Sequence, residues 1–294
     1  MGPIGQIGPI RPLGPISPCY HVSEFMTDPK ELAFRYDLFI APDWRDRFDT
    51  VINENIEMPL EGRFLDVNCG TGAYAIDLAE RLKGKGEVVG VDADAERINI
   101  ARAKSQVQKA KDVRFEEGPA TKLPFKDNEF DVVIGDASLL HTSEIENVCA
   151  EMIRVARPEG QVVLKLTTHG SFDEFFSIYW EALHDLGIAE EVWSSLEHLI
   201  KERITVSSAV TMCERAGLRG IESFVSKEEF GFGSAKEFLE SPLIADWFLN
   251  EWMEIVPAES REAVLSKIAS IIERERNRVL FEVSIKATVL VGKK

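Results

Sequence analysis

The chain has 294 residues, 45% of them apolar, and a formal net charge of −16, with 34 basic against 50 acidic side chains. This is enough length and apolar material for one large α/β domain with insertions, or for two small domains. The charge excludes a broad phosphate-binding face, so no nucleic-acid partner is expected; no apolar run nears a bilayer span and no leader pattern is seen, so neither a membrane partner nor secretion is expected.

The first eighteen residues fall into triplets, GPI-GQI-GPI-RPL-GPI-SP. So short and interrupted a glycine register cannot sustain a triple helix, and residues 1–19 read as a disordered tail. Residues 20–60 read as a helical cover. Within it, Thr27 or Asp28 caps and Pro29 opens a helix through "TDPKELAFRYDLFIA". Four scattered cysteines, Cys19, Cys69, Cys149 and Cys213, form no C-x-x-C pair, which fits a reduced, cytoplasmic protein with neither a disulfide framework nor a metal site.

From residue 64 the pattern alternates. A strand over 64–68 leads into a helix over 72–83, and a strand over 87–92 into a helix from 95 to 108. Further strands fit 113–117, 130–135 and 161–167, with a helix between the last two. Such alternation predicts parallel strands joined by crossover helices, an open doubly wound α/β sheet. Beyond it, 171–204 reads as two helices, 206–217 as another and 219–225 as a strand. Residues 228–279 read as a mainly helical, aromatic insertion. The last segment, "LFEVSIKATVLVG" over 280–292, reads as a long antiparallel strand near the sheet edge.

The first strand-to-helix turn carries the chemistry. Gly70-Thr71-Gly72-Ala73-Tyr74-Ala75 fits G-x-G-x-x-[G/A], and Asp92 follows about twenty residues later, where a carboxylate can bond a ribose diol. Glycines there let backbone approach a ligand at a helix N-terminus. Asp66 sits just ahead of the turn and would repel the pyrophosphate of a dinucleotide. S-adenosylmethionine (SAM) has no phosphate and brings an ammonium and a sulfonium, so the charge pattern favours it.

Four blocks carry a resemblance: "LDVNCGTG", "VVGVDADAERINIAR", "LPFKDNEFDVVIGDASLLH" and "EMIRVARPEGQVVLKL", in order over about 64–167. Together they resemble a class I SAM-dependent methyltransferase of the group acting on small molecules. The resemblance implies a Rossmann-like, seven-stranded, mostly parallel sheet with an antiparallel last strand, extending over 61–294 with helical insertions at 171–204 and 228–279. It also implies that Asp66, Asn68, Gly70 and Gly72 line the methionine end of SAM and that Asp92 takes the ribose hydroxyls. Ala93 and Ala120 would meet the adenine, and Gly135 would lie beside the sulfonium. Asn68 departs from the usual first glycine, but asparagine tolerates a left-handed turn. Pro119 replaces a frequent aspartate, and Glu159 a glycine.

The acceptor should lie beyond the carboxyl end of the fourth strand, where "GDASLLHTSE" faces the transferring methyl. His141 reads either as general base or as a helix-start residue with a bonded ring. Two aromatic stretches, one with Phe176 and Trp180 in 171–183 and the other in 230–252, read as core packing or as walls of an apolar acceptor pocket, with Tyr20, His21 and Tyr36 as a further cover. Two other functions share parts of this pattern: a nicotinamide-dependent oxidoreductase, which leaves Asp66 unexplained, and a non-catalytic SAM-binding protein.

Overall fold

The computed structural model describes residues 28–275 and 279–294. The tail expected over 1–19 and the cover residues Tyr20 and His21 lie outside the described residues.

The strands are β1 (Gly62–Val67), β2 (Gly86–Asp92), β3 (Val113–Glu117), β4 (Phe130–Asp136), β5 (Ala156–Thr167), β6 (Arg219–Phe232) and β7 (Phe281–Lys293). They form one seven-stranded sheet in the order β3-β2-β1-β4-β5-β7-β6. The first five are parallel, while β7 runs antiparallel between β5 and β6. This is a Rossmann-like, doubly wound sheet with an antiparallel strand next to one edge. Strand order reverses beside β1, which opens a crevice past the carboxyl ends of β1, β2 and β4.

Because alternate side chains point to opposite faces, each strand feeds two cores. Phe64, Val88, Val132, Ile134, Val163 and Val289 pack with α2 (Asp46–Asn55), α3 (Ala73–Leu82) and α4 (Ala95–Gln108). Leu65, Val67, Val89, Val133, Leu164 and Leu290 pack on the other face, with α5 (Thr142–Val155) and α8 (Val206–Arg215). A third core is aromatic. It joins the N-terminal segment to α6 (Asp173–Asp185), α7 (Ala189–Lys201), α9 (Ala235–Glu240), α10 (Leu249–Glu254) and α11 (Arg261–Glu275), over the Phe230 and Phe281 ends of β6 and β7.

Side-chain caps set several helix starts. Asp28 accepts from Lys30 N ahead of α1 (Pro29–Arg35), and Asp94 accepts from Glu96 N and Arg97 N at α4. The chain after α1 does not continue as an ordinary helix. Tyr36–Arg45 is π-helical, with Pro42 inside it; proline supplies no N–H to the helical ladder, and the wider turn accommodates the gap.

Two boundaries differ from the expectation. Strand β6 extends to Phe232, so Phe230 and Phe232 belong to a strand paired with β7 rather than to a helical insertion. Strand β5 starts at Ala156, because an irregular register between Phe130 and Val132 lets it pair early.

Candidate functional site

The turn after β1 has the geometry its residues require. Asn68 adopts φ 55°, Gly70 φ 57° and Gly72 φ 80°, so asparagine does occupy a left-handed position here. Its side-chain amide donates to Asp136 O at 2.8 Å, fixing the turn to the end of β4. A Cβ on Gly70 would lie 2.6 Å from Arg45 Nη1 and from the Tyr36 ring, and one on Gly72 would lie 2.6 Å from Phe115 Cζ. The first glycine admits side chains of the N-terminal segment, and the second admits close packing.

Asp92, at the end of β2, accepts from Gly70 N at 2.8 Å and from Asp94 N at 3.0 Å, with Arg97 Nη1 at 3.9 Å. A carboxylate offers about four acceptor sites, so two remain for a diol. Ala93 beside it is exposed, and Ala120 is buried in the α5-side core. Gly135 is held to glycine by close approach of the Met152 side chain on α5, a packing reason independent of any ligand.

Beneath the turn lies a cluster of charges. Arg45 donates through Nη1 to Asn68 O at 2.8 Å and to the Tyr36 hydroxyl at 3.1 Å. Its Nε lies 3.1 Å from Asp136 Oδ2 and its Nη2 lies 3.9 Å from Asp66 Oδ1. Lys165, fully buried on β5, bonds Asp49 and lies 4.0 Å from Asp136. Both oxygens of Asp66, together with Arg45 Nη2, Asp136 Oδ2 and the Tyr74 hydroxyl, are buried without a hydrogen-bond partner.

The environment separates the two aspartates. Burial pushes Asp66 up to about 6, against the pull of Arg45 and Lys165. Burial also acts on Asp136, but Arg45, Lys165 and two bonds from Ser138 outweigh it and hold that carboxyl below its usual range. Arg45 is driven the other way: burial opposes its charge, while Tyr36, Asp136, Asp66 and Asp49 raise its pKa well above the ordinary value. The formal charges of Arg45, Lys165, Asp49, Asp66 and Asp136 sum to −1.

Arg45 and Lys165 were not among the residues expected from sequence, whereas Tyr36 was read there as part of a cover. Only Lys165 gave a signal: a lysine inside the apolar run VVLKL must find a partner once buried.

A second cavity, of about 60 Å³, opens past β4. It is lined by Ser138, Leu139, His141, Thr167, Arg203, Glu251 and their neighbours, including Glu202, Trp247 and Phe248. His141 caps α5, with Nδ1 accepting from Ser143 N at 3.3 Å, and its Nε2 lies 2.5 Å from Glu202 Oε1. Both ring nitrogens are therefore engaged, as the helix-start reading expects. The two expected wall residues part company. Phe176 is buried against Phe175 and Trp252 and reaches the cavity only through Arg203, which lies over its ring. Trp180 does not line this cavity; it turns outward on α6, 39% exposed, against Trp193 and His184.

Comparison with known proteins agrees with this arrangement. Residues 61–210, just over half of the chain, match a family profile described as a methyltransferase domain. The demethylmenaquinone methyltransferase of Lactococcus lactis is 35% identical over 120 residues, 40% of this chain and 48% of that protein, so the likeness spans about half of that relative. The YcgJ protein of Bacillus subtilis superposes with a TM-score of 0.55 at 20% identity, covering 85% of this chain and 98% of that one. Phosphoethanolamine N-methyltransferase 2 of Haemonchus contortus, crystallised with S-adenosylhomocysteine (SAH), superposes with a TM-score of 0.54 at 16% identity, covering 92% of this chain and 59% of that one. These two are likenesses of fold. With the profile covering strands β1 to β5, the glycine turn and Asp92, the chain belongs to the class I, SAM-dependent methyltransferase domain family.

Proposed function

We propose that the protein transfers a methyl group from SAM to a small, apolar, ring-bearing acceptor held between the end of β4 and the helical segment around Trp247 and Glu251. The observation that carries this reading is the buried Asp66 carboxylate beside the glycine turn, with neither oxygen hydrogen-bonded. SAM bears an ammonium, a sulfonium and a carboxylate, a net +1 against the −1 of the buried cluster, and the unpartnered oxygens of Asp66 are acceptors suited to the cationic end. A dinucleotide would bring its anionic pyrophosphate to the same cluster. The residues therefore fit SAM.

When bound, SAM supplies an electrophilic methyl on a positive sulfur. The chain's own part is positional. Asp66 and the Asn68 carbonyl, which Arg45 now serves, would take the ammonium. Arg45, released from that carbonyl, would face the methionine carboxylate, and Asp92 would receive the ribose hydroxyls. A donor and acceptor held in line can account for ~7–11 kcal/mol of a barrier.

The apolar acceptor is supported by Leu139, Leu140, Trp247 and Phe248 around the cavity, and by relatives named for methylating demethylmenaquinone, a quinone. The net charge of −16 supports a small molecule over a nucleic acid. Three cysteines that remain free thiols support a cytoplasmic setting.

Calorimetric titration with SAM, SAH and NAD tests the reading, followed by SAH-release assays on a panel of quinols, phenols, amines and thiols. SAM and SAH should bind and NAD should not. Binding of NAD without SAM would overturn it.

A further inference from the structure

Arg203, between α7 and α8, carries a charge that no ion pair answers among the described residues. Its guanidinium carbon lies 5.1 Å from the centroid of the Phe172 ring, 5.7 Å from Phe248 and 6.0 Å from Phe176, so three aromatic faces hold it. It lines the cavity past β4 together with Ser138, two residues after Asp136, which meets Arg45. Its charged neighbours are Glu251 on α10, the adjacent Glu202 and Asp173 on α6.

Glu202 and Glu251 both line this cavity beside Arg203. Burial first, then the charge of Glu202, raises Glu251, against the pull of Arg203 and His141. His141 is the remaining titratable group on the pair, with Nε2 at 2.5 Å from Glu202. A caged cation and two carboxyl groups thus face one small space beside the proposed methyl donor.

We infer that Arg203 is the anion-accepting subsite of the acceptor cleft and selects a ring carrying an acidic hydroxyl, a phenol or enol, which it binds as the oxyanion. The inference rests on the methyltransferase reading and names the substrate class of that site. The acceptor's O–H bond breaks, its electron pair stays on oxygen against Arg203, and the proton goes to the carboxylate of Glu251 across the same cavity. The site's total charge is unchanged, because one carboxylate is neutralised as one oxyanion forms. A volume of 60 Å³ holds about two waters and no ring. Trp247, half-buried and shared between this cavity and the Tyr36–Arg97 stack, is the wall that gives way.

The test uses 4-nitrophenol, whose phenolate has its own absorption band, with the SAH-loaded full chain at a pH about one unit below the probe's solution pKa. There the free probe is about nine-tenths protonated. The bound probe should show a phenolate-to-phenol ratio about tenfold higher, and 4-nitroaniline, which lacks the acidic hydroxyl, should bind at least tenfold more weakly. Arg203→Met should bind SAH as wild type does and lose the phenolate band. A band that persists in Arg203→Met, a bound probe as protonated as the free one, or equal binding of 4-nitroaniline would each overturn the subsite. If SAH itself fails to bind wild type, the methyltransferase reading fails instead. The aniline comparison is made on wild type and stands even where the variant does not fold.

Discussion

Asp66 is raised to about 6 because burial penalises its charge more than Arg45 and Lys165 favour it. A carboxyl raised on folding contributes stability fully below its unfolded pKa near 4, and that contribution is lost as pH rises through 6. A rise from near 4 to about 6 corresponds to about 3 kcal/mol against the folded protein at neutral pH. Asp66→Asn should therefore gain about 1–3 kcal/mol in urea unfolding at pH 8 and nothing near pH 4, while SAH affinity falls at least tenfold. An equal offset at both pH values would show that the carboxylate's charge is not the cause. At this scale the turn was legible: Asn68, Gly70 and Gly72 stand in a strand–turn–helix context that needs left-handed residues, and all three adopt them. Arg45 was not legible. It sits in a run of alternating charges, and only the fold brings it to Asp66 and Asp136, residues far along the chain.

The π-helical segment Tyr36–Arg45 is the element that closes the site. Its first and last residues fill the space above Gly70, and Asp37 within it accepts from Thr71 Oγ1 at 2.5 Å and from Lys104 Nζ at 2.7 Å. Arg35 ties the preceding helix to Asp246 through two bonds of 2.8 and 2.9 Å. A gap of about 10 Å³ bounded by Ala41, Arg45, Asp49, Thr71 and Tyr74 is too tight for anything larger than water, so a ligand over Gly70 must first lift this segment. Backbone amide exchange over 36–45 should be measurable in the free protein and slow several-fold when SAH is added, as the ligand takes over contacts between turn and segment. Exchange that SAH leaves unaltered across 36–45 would remove the segment from the cofactor site. The sequence showed a helix start at Pro29 but not the π geometry of the segment that follows. It also showed an aromatic stripe on α6. Phe172, Phe175, Phe176 and Tyr179 do turn inward, but Trp180 lies a further 100° round the helix and faces Trp193. Likewise Cys149 and Cys213, scattered in sequence, meet at 3.2 Å between α5 and α8, a contact set by topology alone.

Across the whole molecule, the proposed cofactor crevice and the proposed acceptor cavity share their wall. Tyr36 stands over the glycine turn and meets Trp247 edge-on at 6.0 Å, while Arg97, beside Asp92, lies over both rings. Trp247 lines the acceptor cavity together with Phe248, the ring next to Arg203. A second route runs from Arg45 to Asp136, from Asp136 to Ser138, and from Ser138 to Trp44, whose indole donates to Ser138 Oγ at 2.9 Å and stacks on Phe172 and Phe230. Lifting Tyr36 and Arg45 for the cofactor therefore disturbs the same rings that an acceptor must displace. A side chain already moved is not moved twice, so each ligand should favour the other. Binding couplings of this kind amount to about 5–150-fold. SAH at saturation should tighten 4-nitrophenol at least about fivefold, and by thermodynamic reciprocity saturating 4-nitrophenol should tighten SAH by the same factor. Calorimetry in both orders measures the two factors independently. Trp247→Ala should reduce both together, since it removes the shared ring. A wild-type factor of one in both directions would mean that the two sites open separately and that the shared wall carries no energy between them.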